Sequence, residues 1–265
     1  MMMGDDIVKA LPAIAFLVPV FNEAANVPSL MESLHALERE FRGRLVPSFV
    51  IVDDGSRDRT ADLFRELKGE LALSVLVHDK NSGPGSAFAT GFRYLAPRLE
   101  ADDWLVTMEG DNTSRHELVL KMLRRAEEGY DLVLASPYLY GGRIVNTSLW
   151  RTFLSYGANI FLKEILELRG IMTMSSFFRL YRGSAVHQLQ ACYGSGIVER
   201  SGFDCMVELL MKASYLNLTL SEIAMVLDTA RRQGKSKMKV LRAMWDLATL
   251  AKHKRRWKQL AATRE

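Results

Sequence analysis

Short apolar runs recur along the first half of the chain at residues 14–20, 49–52, 73–77, 104–108 and 132–135. Between them lie stretches in which apolar residues return every three or four positions, at 25–41, 60–71, 86–95 and 118–128. Short continuous runs suit strands buried on both faces, and the intervening periodicity suits helices with a single apolar stripe. Strand alternating with helix predicts an α/β fold, a mostly parallel sheet flanked by helices. Gly83-Pro84-Gly85 marks a loop opening into a helix, and Ser114-Arg115-His116-Glu117 has the spacing of a capping box.

After Gly141-Gly142 the alternation lapses. Residues 148–168 form a long amphipathic stretch, 174–181 mix polar and apolar positions, 203–213 are helix-like and 218–227 strand-like, so this half is expected to pack on the sheet without extending it. With no internal repeat and no low-complexity linker, one domain is expected over residues 1–232, followed by a basic amphipathic segment over 233–265. In that segment Val240, Leu241, Met244, Leu247, Ala248 and Ala251 fall at helical spacing among Lys239, Arg242, Lys252, Lys254, Arg255 and Arg256. Such a helix suits an anionic membrane surface, and packing on the domain or a contact within a homo-oligomer are the alternatives.

At 265 residues the chain is long enough to bury about 70–75% of the surface its unfolded form exposes. The net charge is only +4, but about a dozen Lys and Arg lie from Arg231 onward against Asp246 and Glu265, which favours an anionic partner at that end. No zinc-finger spacing, RNP-type aromatic motif or helix-turn-helix pattern accompanies this charge, so no nucleic acid is expected. Cys192 and Cys205 lack metal-ligand spacing and read as reduced thiols of a cytoplasmic protein. The opening Met1-Met2-Met3-Gly4-Asp5-Asp6 has neither the basic flank nor the apolar core of a signal peptide, and the first apolar run is too short to cross a bilayer.

The strongest chemical signal is a pair of acidic turns, each after an apolar run: Val52-Asp53-Asp54-Gly55-Ser56 and Glu109-Gly110-Asp111-Asn112-Thr113. A parallel strand ending in carboxylates delivers them to the carboxyl edge of the sheet, where α/β proteins hold nucleotides and metals. Taken singly, Asp-Asp-Gly-Ser is an ordinary turn, and Glu109 and Asp111 serve equally well to end a strand. The loop at Gly83–Gly85 is not a Walker loop, because no Lys-Ser/Thr follows it.

Taken together, residues 14–238 resemble the family 2 glycosyltransferases of GT-A fold, within them the polyprenyl-phosphate, dolichyl-phosphate mannosyltransferase-like group. The resemblance rests on Val18-Pro19-Val20-Phe21-Asn22-Glu23, Val52 to Thr60, Asn81 to Ala87, the turn from Glu109 to Thr113, Ser136 to Gly142, Trp150-Arg151 with Ser155, Gly157 and Ala158, and Gly234-Lys235-Ser236-Lys237-Met238, in the expected order. It implies a Rossmann-like sheet and inverting transfer of a sugar from a nucleotide-sugar to a membrane-associated acceptor, polyprenyl phosphate first among them. Pro19, Asn22, Glu23, Asp53, Asp54 and Gly110 would hold the donor nucleotide. Asp111, with Glu109 and Thr113, would hold Mg2+ or Mn2+ against the diphosphate. Arg151, Ser155, Arg231 and Lys237 would receive the acceptor phosphate. A phosphate oxygen is already anionic at neutral pH and needs no strong base, so it could attack the anomeric carbon directly.

Several positions depart from that pattern. Glu109 stands where Asp-Xaa-Asp has its first Asp, Thr113 where Gln is frequent, and Met174-Ser175-Ser176-Phe177 replaces Thr-Ser-Gly-Phe. Ser136-Pro137-Tyr138 replaces Ser-Arg-Tyr, with Arg143 as a nearby substitute for the missing arginine. A hydroxyl acceptor on a glycolipid or glycan would need a catalytic base, for which Asp204 is the candidate, its alternative role being that of a helix N-cap. A non-catalytic protein that binds nucleotide or lipid is a further alternative. A sugar-phosphate nucleotidyltransferase would carry a glycine-rich loop after the first strand, where this chain has Pro19-Val20-Phe21-Asn22-Glu23. The resemblance places the protein at the cytoplasmic face of a membrane.

Overall fold

The computed structural model describes residues 10–113, 115–146, 170–231 and 240–263. Its first half is the predicted alternation: β1 (Ala13–Val20), α1 (Val27–Phe41), β2 (Val46–Asp53), α2 (Thr60–Leu67), β3 (Leu73–Val77), α3 (Pro84–Leu95), β4 (Trp104–Thr107), α4 (Val119–Glu127) and β5 (Leu132–Ser136). Helix α2 ends four residues before the periodicity does, because Gly69 takes φ +53 and turns the chain while Leu71 still reaches the core. The helix expected around Ser114-Arg115-His116-Glu117 begins as a single 3-10 turn at His116–Leu118 and becomes α-helical only at Val119. Ser114 itself lies outside the described residues.

The second half corrects the expectation that it would leave the sheet unextended. It contributes β6 (Arg143–Val145), β7 (Arg179–Arg182), α5 (Gly183–Tyr193), α6 (Cys205–Tyr215), β8 (Leu220–Ala224), β9 (Val226–Asp228) and α7 (Val240–Ala262). The seven-stranded sheet runs β3-β2-β1-β4-β7-β5-β8. Strand β7 is antiparallel to both neighbours, and every other pairing is parallel. A four-residue segment with few apolar alternations gives little local signal, and it is the pairing with β4 and β5 that makes it a strand. Strands β6 and β9 form a separate parallel pair.

Period-two alternation sorts the strand residues between two cores. Ile14, Phe16, Val18 and Val20 of β1 pack with α1, α2 and α4, whereas Ala15 and Leu17 pack with α3, α5 and α6. The site-bearing ends of β1, β2 and β4 thus project from a sheet covered on both faces. No helix among the described residues is long and apolar enough to cross a membrane. The amphipathic stretch expected at 148–168 lies outside the described residues.

Candidate active site

In the parallel register of β1 and β2, Val20 lies opposite Asp53, and the Asp54 N–H donates to the Val20 carbonyl at 2.9 Å. The loops that follow are stitched together. The Asn22 N–H donates to Ser56 Oγ, the Arg57 N–H to Asn22 Oδ1 and the Glu23 N–H to Thr60 Oγ1, each at 2.8 Å. Asn22 adopts φ 50, a left-handed conformation that asparagine tolerates better than most residues. Asp53 is 1% exposed, and its Oδ1 accepts the Ser56 N–H at 2.8 Å. Pro19, Asn22, Glu23 and Asp53 therefore share one rim.

Asp54 is engaged inside the fold. Its Oδ1 lies 2.8 Å from His78 Nδ1 and accepts the Ser82 N–H at 2.9 Å, while Oδ2 accepts the Gly83 N–H at 2.7 Å. His78 Nε2 reaches Thr90 Oγ1 at 2.9 Å. Asp54 thereby ties the end of β2 to the glycine loop that opens α3. That loop in turn seats the 199–204 segment: the Gly85 N–H donates to the Ser201 carbonyl at 2.9 Å, and a Cβ at Gly85 would fall 1.9 Å from the Arg200 carbonyl oxygen.

The second acidic turn reaches the same place from β4. The Met108 N–H donates to the Leu17 carbonyl at 3.0 Å, and Asn112, at φ 57, accepts from Ser33 Oγ of α1 at 3.0 Å. A Cβ at Gly110 would lie 2.6 Å from both the Pro19 carbonyl oxygen and Val20 Cγ1, so this turn is pressed against the end of β1. Both acidic turns thus abut one strand end. Gly110→Ala should therefore cost about 1–3 kcal/mol through overpacking and displace the turn, read as a lower melting temperature.

Asp111 is 8% exposed, and its Oδ1 accepts both the Thr113 hydroxyl at 2.6 Å and the Thr113 N–H at 3.2 Å. Among the described residues, no group of three or more His, Cys, Asp or Glu side chains could hold a metal alone. Magnesium is commonly held by one or two carboxylates together with substrate phosphates, and the hard oxygen donors of Asp111, Glu109 and Thr113 fit that chemistry.

Asp204 precedes α6, is 2% exposed and accepts from Arg200 Nε at 2.5 Å through Oδ2. Arg200 Nη2 also donates to Thr249 Oγ1 on α7 at 2.8 Å. The carboxylate is shielded and ion-paired through Oδ2, whereas Oδ1 is buried without a hydrogen-bond partner among the described residues. Of the expected acceptor residues, Arg151, Ser155 and Lys237 lie outside the described residues, and Arg231 closes a 3-10 turn, Thr229–Arg231, directly after β9. The β6–β9 pairing sets Arg143 opposite Val226, and Thr229 Oγ1 donates to the Asn146 carbonyl at 2.6 Å, so Arg143 sits on the small sheet from which the 229–231 turn leads.

A buried ionic centre escaped the sequence reading. Glu208 and Lys212, one helical turn apart on α6, are both 0% exposed and paired. Glu208 accepts the Glu199 N–H at 2.9 Å and the Arg200 N–H at 2.9 Å, while Lys212 Nζ donates to the Gly196 carbonyl at 2.5 Å. Desolvation holds the Glu208 carboxyl above, and the Lys212 ammonium below, their ordinary ranges, with each partner's charge opposing the shift. Lys212 Nζ lies 4.7 Å from the centre of the Trp257 ring, and Trp257 Nε1 donates to Glu199 at 3.1 Å. Leu250, Trp257 and Ala261 of α7 are buried on the domain, while Lys252, Arg255 and Lys258 are exposed. An i,i+4 acid–base pair inside an otherwise apolar helix was the available signal for this centre.

Residues 15–190 match the family described as Glycosyl transferase family 2, and the chain belongs to that family. It is 27% identical over 230 residues to a dolichol-phosphate mannosyltransferase of Pyrococcus furiosus, covering 85% of this chain and 59% of that protein. It is 27% identical to a polyprenol monophosphomannose synthase of Mycolicibacterium smegmatis, covering 84% and 79% of the two chains. An undecaprenyl-phosphate 4-deoxy-4-formamido-L-arabinose transferase of Pseudomonas paraeruginosa is 29% identical, with 89% and 64% covered. The chain thus spans about three fifths of the length of two of these three relatives. In fold it is similar to glucosyl-3-phosphoglycerate synthase from Mycobacterium tuberculosis in complex with Mn2+ and UDP-glucose, with a TM-score of 0.60, 17% identity, and 92% and 79% of the two chains covered.

Proposed function

We propose that this protein is an inverting glycosyltransferase that moves a sugar from a nucleotide-sugar to polyprenyl phosphate by single displacement, with Mg2+ or Mn2+ as cofactor. The observation that carries the reading is the convergence of both acidic turns on the end of β1, where one bound donor can meet them together. Relatives named for polyprenyl-phosphate sugar transfer support the acceptor class.

In this reading Pro19, Asn22, Glu23 and Asp53 orient the nucleotide by accepting hydrogen bonds from base and ribose donors. Asp54 acts through the 82–83 backbone that it holds. Gly110 lets the second turn approach the donor, and Asp111 with Glu109 and Thr113 faces the diphosphate. A divalent cation held by Asp111, Glu109 and Thr113 would supply charge neutralisation for the departing nucleoside diphosphate. Arg151, Ser155, Arg231 and Lys237, with Arg143 beside the 229–231 turn, hold the acceptor phosphate, and arginine pairs with phosphate bidentately. A phosphate nucleophile needs no base, which agrees with the enclosure of Asp204 by Arg200.

The catalytic unit is residues 1–232, and the 233–265 segment serves the membrane. Because Leu250, Trp257 and Ala261 are spent on the domain, this part of α7 meets a cytoplasmic-face membrane through the charge of Lys252, Arg255 and Lys258, at about 1 kcal/mol per cation. Incubation with a panel of nucleotide sugars, Mn2+ and either polyprenyl phosphate or glycan hydroxyl acceptors, read by product mass, tests the proposal. Sugar is expected on the lipid phosphate. Product confined to hydroxyl acceptors would overturn the acceptor assignment, and no product in any arm would overturn the enzymatic one.

A further inference from the structure

Phe177 ends the Met174-Ser175-Ser176-Phe177 segment and Phe203 begins the helix-like run at 203–213, and the site described above assigns neither any work. Both are half-buried, and their rings stack with centroids 5.8 Å apart and an interplanar angle of 20°. Phe177 is also backed edge-on by the fully buried Phe88 of α3, at 5.1 Å and 87°, so the outer pair rests on a fixed support.

Two anchors define where this pair stands. The Phe177 carbonyl accepts from Thr107 Oγ1 at 2.6 Å, which fixes it to the last residue of β4, two residues before Glu109. Phe203 immediately precedes Asp204, in the segment whose Ser201 carbonyl receives the Gly85 N–H of the glycine loop. The pair therefore lies between the end of β4, which leads into the acidic turn, and the loop leading into α6, at the carboxyl edge of the sheet. A partly exposed aromatic surface with a rigid backing, flanked by polar groups, suits a ligand with one apolar face and a polar rim. The ring of a hexose has that form, with C–H groups on one face and hydroxyls around the edge.

We infer that Phe177 and Phe203 form the platform on which the sugar ring of the donor lies, with the nucleotide held by the first acidic turn. The inference rests on the glycosyltransferase reading and adds to it the surface that receives the transferred group. In a single displacement the transferred sugar lies beside the departing diphosphate, and the aromatic pair is anchored to the strand end that leads into the turn proposed to face that diphosphate. A prenyl tail is the other apolar candidate. Among the described residues the pair presents two rings, the size of one hexose, whereas a long chain needs an extended apolar track.

The test compares wild type, Phe203→Ala and Phe203→Tyr by calorimetry with Mn2+, using UDP-glucose and GDP-mannose beside UDP and GDP. For whichever nucleotide sugar the wild type binds, Phe203→Ala should weaken affinity about tenfold, the loss of one stacking contact, and leave the matching nucleoside diphosphate within about twofold. Phe203→Tyr, which keeps the ring, should restore nucleotide-sugar affinity. Equal losses for nucleotide sugar and nucleoside diphosphate, or no loss for either, would overturn the inference and leave the glycosyltransferase reading standing. Unchanged nucleotide-sugar affinity with a raised KM for polyprenyl phosphate would assign the platform to the lipid and equally overturn it. Failure of the wild type to bind any of the four nucleotides would remove the glycosyltransferase reading itself.

Discussion

Asp111→Asn is expected to lower sugar transfer by about a thousandfold while leaving the fold intact. The substitution keeps the size of the side chain and an oxygen able to accept the two Thr113 bonds, so the turn should retain its shape. It removes the negative charge that would face the cation on the diphosphate, and electrostatic stabilisation of that kind is worth several kcal/mol of barrier, about tenfold in rate for each 1.4 kcal/mol. Steady-state turnover with saturating Mn2+, read beside a thermal melt, checks both halves. Near-normal turnover would count decisively against the proposed metal and diphosphate site.

Lys212→Met should destabilise the folded protein by about 3–5 kcal/mol, because it strands the Glu208 carboxylate in the core. For a chain of this length that corresponds to a fall in melting temperature of roughly 10 °C. Burial already raises the Glu208 carboxyl, and loss of the Lys212 charge removes the main influence opposing that rise. A carboxyl raised on folding favours the folded state while it stays protonated, and the advantage is lost as pH climbs through the folded-state value. The deficit of Lys212→Met should therefore be largest at neutral and alkaline pH and should shrink on acidification toward the ordinary carboxylate range. Pairing it with Glu208→Gln should recover part of the loss, since the neutral amide can still accept the Glu199 and Arg200 N–H groups. Melting curves of the wild type and the two variants from pH 5 to 8 measure this, and an equal deficit at every pH would exclude the stranded charge as its cause.

The sequence was most readable where structure is set locally. The apolar run at 73–77 is β3 itself, and the helix read at 86–95 is extended only by Pro84 and Gly85, which start α3. Both acidic turns fall where a parallel strand must end, so the rim of the site followed from the pattern alone. What escaped depends on partners distant in the chain. Strand β7 has a role only between β4 and β5, and Trp257 becomes core only against α6 and Tyr193, to whose hydroxyl its carbonyl is bonded at 3.3 Å. Asp53 and Asp54 are adjacent and chemically alike in sequence, and only the positions of His78 and the 82–83 backbone separate them. The Phe177–Phe203 pair joins residues 26 positions apart and carries no local periodicity to mark it.

The antiparallel insertion of β7 has a consequence for synthesis of the chain. Strands β4 and β5 never pair with each other, so until residue 182 has been made the sheet consists of a β3-β2-β1-β4 half and a detached β5, each presenting an unsatisfied edge. Such edges recruit other strands readily. A ribosome-bound or truncated product ending between 146 and 178 is therefore a candidate for chaperone capture, and cooperative protection of β1 and β5 from hydrogen exchange should arise together, once the late strand closes the gap.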